Sequence, residues 1–331
     1  MPHDPEDHPV VPGPGGVGTP ARRPPLRTML AEAHSGMLLF AVTPPRRSAS
    51  AEQIEEVARV TVGRLAPLDL DGLVLYDIDD ESDRNPADRP FPYLPTIDPA
   101  VFHADHLRDW RRPVVVYRCV GKYPEAELGE WLGAADVDRV AGVFVGASSG
   151  QKTVHTRLRR AHELRRRLRP DLPLGAVAIT ERYTRNGDEH LRMLAKQEAG
   201  CGYFITQVVY DVSATKSLLS DYLYACRERG LTPRPVILTL SVCGSLKTLA
   251  FLQWLGVEVP RWLENALRHA DDPLTESYEQ CLANAAELIT FCRRLGLPFG
   301  FNVESVSIRK VEIDASVELA AQVRRMLDAA R

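Results

Sequence analysis

Four polar side chains stand where short apolar runs stop. Asp77 follows Gly72-Leu-Val-Leu-Tyr76, and Glu181 follows Leu174-Gly-Ala-Val-Ala-Ile179 after one threonine. Gln207 follows Tyr203-Phe-Ile-Thr206, and Glu304 follows Phe299-Gly-Phe-Asn-Val303. A carboxyl in such a place can hold a proton near neutral pH if burial raises its pKa, which makes it a candidate acid. An amide has two donors and an acceptor, which suits the edge of a flat heterocycle; it equally suits capping of the next loop, and spacing alone leaves both readings open for Gln207.

The runs that precede these groups are buried strands, because water cannot satisfy a continuous apolar segment. Eight of them recur in order: Met37–Val42, Gly72–Asp77, Pro113–Arg118, Ala141–Gly146, Leu174–Ile179, Tyr203–Gln207, Pro235–Leu240 and Phe299–Val303. Helical patterns separate most of them. Ser50 caps one with Ile54, Val57 and Val62 on a face, and others cover Pro124–Ala134, Ala214–Arg229 and Ala315–Ala330. Eight such units imply a parallel α/β fold closed into a (β/α)8 TIM barrel, whose strand C-termini face the functional mouth. A doubly wound sheet would use the same units, but no glycine-rich phosphate loop opens a helix. Residues 1–28, rich in Pro and Gly, are expected to form a disordered tail, with one barrel domain over 29–331 and Thr28–Ala33 as a first helical turn at its base. Asp79–Asp98 reads as a long polar loop after strand two, and Pro260–Leu295 as extra helices between strands seven and eight.

Composition narrows the function classes. Of 331 residues, 41 are basic and 44 acidic, giving a net charge of −3, which disfavours a nucleic-acid partner. The basic run Arg157–Arg167 has leucines and an alanine at helical spacing, so its arginines read as a wet helix face, with an anion-binding patch as the rival reading. Six scattered cysteines read as thiols of a reducing, cytoplasmic compartment, and nine histidines show no metal-ligand spacing. No apolar run reaches the roughly 18 residues needed to cross a bilayer, and no apolar signal core opens the chain. The oligomeric state stays open, a homo-oligomer included.

Phe40-Ala-Val-Thr-Pro-Pro45, the stretch Glu189–Asp211 and Gly256-Val-Glu-Val-Pro260 resemble motifs of the methylenetetrahydrofolate reductase family. The resemblance spans about residues 36–325 and implies a barrel that passes hydride from NADH or NADPH to the methylene carbon of 5,10-methylenetetrahydrofolate. It implies that Gln207 binds the pterin and that Lys196 and Glu189 contact flavin phosphate and ribityl groups. Glu181 matches a glutamate of the family. The chain departs from the pattern where the family has a first-strand glutamate (Ala41 here) and a strand-four Arg-Gly-Asp (Val145-Gly-Ala147 here). The strand-three histidine falls on Val116 and the strand-five tyrosine on Ile179. FAD is thus a candidate cofactor with most of its contacts absent, and the chain is similar to flavin-independent relatives.

Opening a methylene bridge requires a proton on the departing nitrogen, so another carboxyl must replace the one lost at Ala41. Glu304 on strand eight lies next to strand one in a closed barrel and can enter that space; its other reading is an ion pair with Arg118 or Arg309. Asp77 is a second candidate, as an acid, a pterin binder or a loop cap, and Glu181 a third. Arg118 and Tyr183 are candidates for a glutamate tail or a nicotinamide phosphate. Ser305 and Arg309, past strand eight, are candidates for a cofactor phosphate. The functions implied are hydride transfer to a folate, one-carbon transfer in specialised metabolism, or folate binding by a silent or partner-regulating homologue.

Overall fold

The computed structural model describes residues 23–80, 85, 87–147 and 153–330. Eight strands are β1 (Met37–Val42), β2 (Gly72–Leu75), β3 (Val114–Cys119), β4 (Val140–Val145), β5 (Leu174–Ala178), β6 (Tyr203–Val208), β7 (Val236–Ser241) and β8 (Phe299–Glu304). Every neighbouring pair is parallel, and β8 pairs with β1, so the sheet closes into a (β/α)8 barrel. Parallel strands are covered on both faces, which is why these segments are nearly continuous apolar runs.

Helices α1 (Leu26–Ala31), α2 (Ala51–Leu65), α3 (Pro99–Val101), α4 (Glu125–Ala134), α5 (Leu158–Leu168) and α6 (Thr180–Asn186) lie in the first half. The second half carries α7 (Glu189–Glu198), α8 (Val212–Glu228), α9 (Leu246–Trp254), α10 (Arg261–His269), α11 (Pro273–Leu295) and α12 (Lys310–Ala329). The expected additions between β7 and β8 are thus α9, α10 and α11. Ser50 and Gln53 form the reciprocal cap of α2, each side chain bonding the other's backbone N–H. The helix after β6 starts earlier than its apolar spacing suggests, at Val212, because the Asp211 carboxylate caps it by accepting the Ala214 N–H at 2.9 Å.

The barrel has two cores. Outward side chains such as Leu73, Val116, Leu238 and Phe301 meet the helices, whereas Met37, Leu39, Val74, Val115, Val143, Ile205 and Ile237 fill the interior. Tyr203 reaches across the interior floor and donates to the Gly142 carbonyl at 2.8 Å. A β-carbon at Gly175 would collide with that ring, so the tyrosine requires glycine there. Leu26, Met29 and Leu30 of α1 seal the floor. The expected tail overlaps the fold at its end: Arg23 already bonds Asp71 at 2.9 Å and Leu26 is buried, because the floor needs an apolar plug. The remainder of that tail, residues 1–22, lies outside the described residues.

The long loop after β2 is strapped along the rim. Thr96 bridges antiparallel to Arg46, just past β1. Farther along, Asn85 donates to the Trp254 carbonyl at 3.0 Å and the Trp254 indole donates to the Ala87 carbonyl at 2.9 Å. Phe91 meets Phe251 edge to face.

Candidate functional site

Alternation along each strand decides which polar groups enter the barrel. On β8, Gly300, Asn302 and Glu304 point inward, and Phe299, Phe301 and Val303 outward. Glu304 is the register partner of Ala41 on β1 and of Ser241 on β7; Asn302, one layer deeper, is the partner of Leu39 and Thr239. Tyr76, at the end of β2, reaches across β1: its hydroxyl donates to Glu304 Oε2 and accepts from Asn302 Nδ2 at 3.1 Å. Asn302 Nδ2 also donates to Thr239 Oγ1 at 3.4 Å. The Tyr117 ring stands edge-on to Tyr76, with centroids 4.9 Å apart. The result is a polar arc on β7, β8 and β2 facing an apolar wall.

The electrostatics follow from burial. Glu304 is 8% exposed, and desolvation pushes its carboxyl up to about 7, partly opposed by the Tyr76 hydrogen bond. Among the described residues no cation lies within salt-bridge distance of it: Arg118 pairs with Asp98, and Arg309 with Glu312. The ion-pair reading of Glu304 is thereby corrected. Two further groups are unsatisfied. Asn302 Oδ1 and Ser241 Oγ are buried with no hydrogen-bond partner among the described residues. Buried polar atoms normally find partners, so unpaired ones at a barrel mouth point to a ligand or water.

The other sequence candidates sit elsewhere. Gln207 lies in a bulge where β6 spends three steps against two on β7. Its neighbour Val208 packs against the helices, and Gln207 itself is half-buried. Asp77 alternates to the outer face. There its carboxylate accepts from the Cys119 N–H at 2.7 Å, the Tyr123 hydroxyl at 2.8 Å and Lys122; burial raises its pKa against the pull of Lys122. Arg118 also faces outward, buried between the rings of Tyr123 and Trp131 and bonded to Asp98, the cap of α3. Neither faces the barrel interior, so both expectations of ligand contact are corrected: adjacent residues of a strand cannot share a face, and Tyr76 and Tyr117 take the inner one.

Glu181 opens α6 outside the ring. Its Oε1 accepts the Glu258 N–H at 3.2 Å, its Oε2 is buried without a partner among the described residues, and burial pushes it up to about 7. It shares a narrow crevice with Thr180, Tyr210 and Asp211, on the β5–β6 side rather than beside Glu304. Tyr183 donates to Asp221 at 2.7 Å on the helical surface.

The groups expected to hold a flavin or a phosphate are already engaged. Lys196 donates to the Val177 carbonyl at 2.7 Å and to Glu189 at 3.2 Å; the fully buried Glu189 accepts the Ile179 N–H. Ser305 donates to the Ser307 carbonyl, and Arg309 to the Gly244 carbonyl and Glu312. Lys196 and Glu189 thus tie α7 to β5 and Ser305 and Arg309 hold the turn after β8, while Glu189 Oε2 has no hydrogen-bond partner among the described residues.

Sequence reasoning passed over Tyr76, Asn302 and Ser241. Alternation would have found two of them: Asn302 lies two residues before Glu304, and Tyr76 is the inward neighbour of Asp77.

The fold and this arc define a (β/α)8 barrel with a desolvated carboxyl and unpaired polar groups at its catalytic-type face. No protein-family model and no curated protein matches the sequence. Among solved structures, a Clostridium thermocellum protein that binds two copies of 5-methyl-5,6,7,8-tetrahydrofolic acid is 41% identical, over 91% of this chain and 99% of its own, with a TM-score of 0.80. The chain belongs to the same family as that protein. A dihydropteroate synthase from Thermus thermophilus aligns over 90% of this chain and 95% of its own, at 13% identity and a TM-score of 0.43.

Proposed function

We propose that the protein binds a reduced folate of the 5-methyltetrahydrofolate class, with the pteridine in the barrel mouth against Glu304 and Asn302. The observation that carries this reading is the pair of acceptors on β8. Tyr76 commits its proton to Glu304, so only a donor can face its oxygen, which fixes Asn302 with Nδ2 inward and Oδ1 free. The arc therefore offers a carboxylate oxygen and, one layer deeper on the same strand face, an amide oxygen. An aminopyrimidinone presents two adjacent N–H donors, the ring N–H and the exocyclic amine, which complement that pair. Gln207, on β6 beside the arc's β7, can meet another polar edge of the ligand. The relative's ligand supports the same class.

Calorimetric titration with 5-methyltetrahydrofolate tests this. Saturable binding is expected, weakened about tenfold or more in Asn302→Ala, in line with roughly 1–3 kcal/mol for a buried acceptor left without its ligand partner. Absence of saturable binding to the wild-type chain would sink the reading.

The position of Glu304 beside Ala41 favours a second reading, in which the site also does chemistry. A carboxyl held near pH 7 can give its proton to a folate nitrogen and so open a methylene bridge to an iminium. The iminium carbon would then take hydride from NADH or NADPH as a reductase substrate, or pass to a nucleophile in a one-carbon transfer. Nicotinamide oxidation dependent on 5,10-methylenetetrahydrofolate would support the hydride form; folate binding without turnover leaves the binding reading in place and removes this one.

A further inference from the structure

The arginine-rich helix has a role at the opposite end of the barrel from the mouth. Its last turn holds Arg165, Arg166 and Arg167, and it precedes β5, so that turn lies at the floor face. There Arg165, Arg234 and Arg27 line a cavity of about 280 Å³ whose apolar wall includes Ala31 and Pro173.

The charge in this cavity is not balanced by the chain. Arg27 pairs with Asp138, and Asp171, the acidic group in the wall, lies 3.5 Å from Arg169. Arg165 spends Nε and Nη2 on the Leu172 carbonyl, and Arg234 leaves Nε buried with no hydrogen-bond partner. Among the described residues neither has a carboxylate within salt-bridge distance. Burial lowers the pKa of Arg165, and the Asp171 charge offsets only part of that. The Cys201 thiol in the same wall is pushed up to about 11 and stays neutral, so it supplies none.

We propose that this floor cavity is a binding site for a small organic anion, with its carboxylate or phosphate group taken by Arg165 and Arg234 and its apolar body against Ala31 and Pro173. Guanidinium groups pair with such anions through two parallel N–H donors, and a half-buried pair without acidic partners gains most from them. The volume suits a compact anion rather than a whole folate. The site is independent of the mouth.

Calorimetry on the full chain with phenyl phosphate, benzoate and uncharged benzyl alcohol, at fixed ionic strength, tests it. Saturable binding of at least one anion and none of the alcohol is expected; the tighter anion assigns phosphate or carboxylate chemistry. Arg165→Gln and Arg234→Gln should each weaken that binding about tenfold while leaving 5-methyltetrahydrofolate titrations as in the wild type. Arg234→Gln keeps the Arg165 clamp on Leu172, so it reports even if Arg165→Gln does not fold. Lack of saturable anion binding, equal binding of the alcohol, or unchanged affinity in Arg234→Gln would overturn the proposal.

Discussion

Ala41 and Glu304 are register partners across the β1–β8 seam of the barrel, so a carboxyl on the last strand occupies the space beside a residue that is only a methyl group on the first. Tyr76, from the strand on the other side of β1, donates a hydrogen bond to that carboxyl.

Glu304 titrates near 7 when folded, against the ordinary value of 4.5 for a glutamate. Between those values the folded chain holds a proton that the unfolded chain has lost. Its favourable contribution is therefore complete below about 4.5 and lost as pH rises through about 7. Removing this titration in Glu304→Gln should make stability less dependent on pH, with the variant gaining on the wild type from pH 5 to pH 8. The shift corresponds to a difference on the order of 3 kcal/mol. Urea unfolding at the two pH values measures it; parallel curves would show that Glu304 titrates normally. Glu181 contributes in the same direction, so the wild type keeps part of its slope in this variant.

Tyr76→Phe removes the hydroxyl that lowers the Glu304 pKa and positions Asn302. The midpoint of Glu304 should rise further, so that any pH dependence of folate binding moves to higher pH. Affinity at a fixed neutral pH should fall because Asn302 loses its orientation. Titrations from pH 5 to 9 read both effects; an unmoved midpoint would detach Tyr76 from the site.

Arg118→Gln separates the two faces of β3. It removes a buried pair with Asp98 and the stacking on Tyr123 and Trp131, so stability should drop by about 2–4 kcal/mol. Folate affinity of the folded fraction should stay within a few-fold, since the guanidinium points away from the mouth. A selective loss of affinity with unchanged stability would contradict that placement.

Gln207→Ala should weaken 5-methyltetrahydrofolate by roughly 1–3 kcal/mol if the amide meets the ligand, and leave thermal stability nearly unchanged, since the side chain is half-buried. Unchanged affinity would return Gln207 to the role of a loop cap.

The closed barrel was legible because buried parallel strands leave apolar runs that need no partner to be recognised. Glu304 was legible too, since strand eight must neighbour strand one when the sheet closes. What the sequence hid was which face each polar residue takes at a strand end. Asp77 and Arg118 read as mouth residues because they end apolar runs, yet single-residue alternation sends both outward and brings Tyr76 in. The bonds that complete the arc join residues more than 200 positions apart, as from Tyr76 to Asn302 and Glu304; no local pattern encodes them. Lys196 and Glu189, which the resemblance would set against a flavin, bond each other and the backbone at the end of β5.

The most direct measurement is a crystal structure of the protein soaked with 5-methyltetrahydrofolate. The pteridine is expected at the C-terminal end of the strands, its two neighbouring N–H donors within hydrogen-bond distance of Glu304 and Asn302 Oδ1. A pteridine bound away from β8, or a mouth that stays empty at saturating ligand, would contradict this placement.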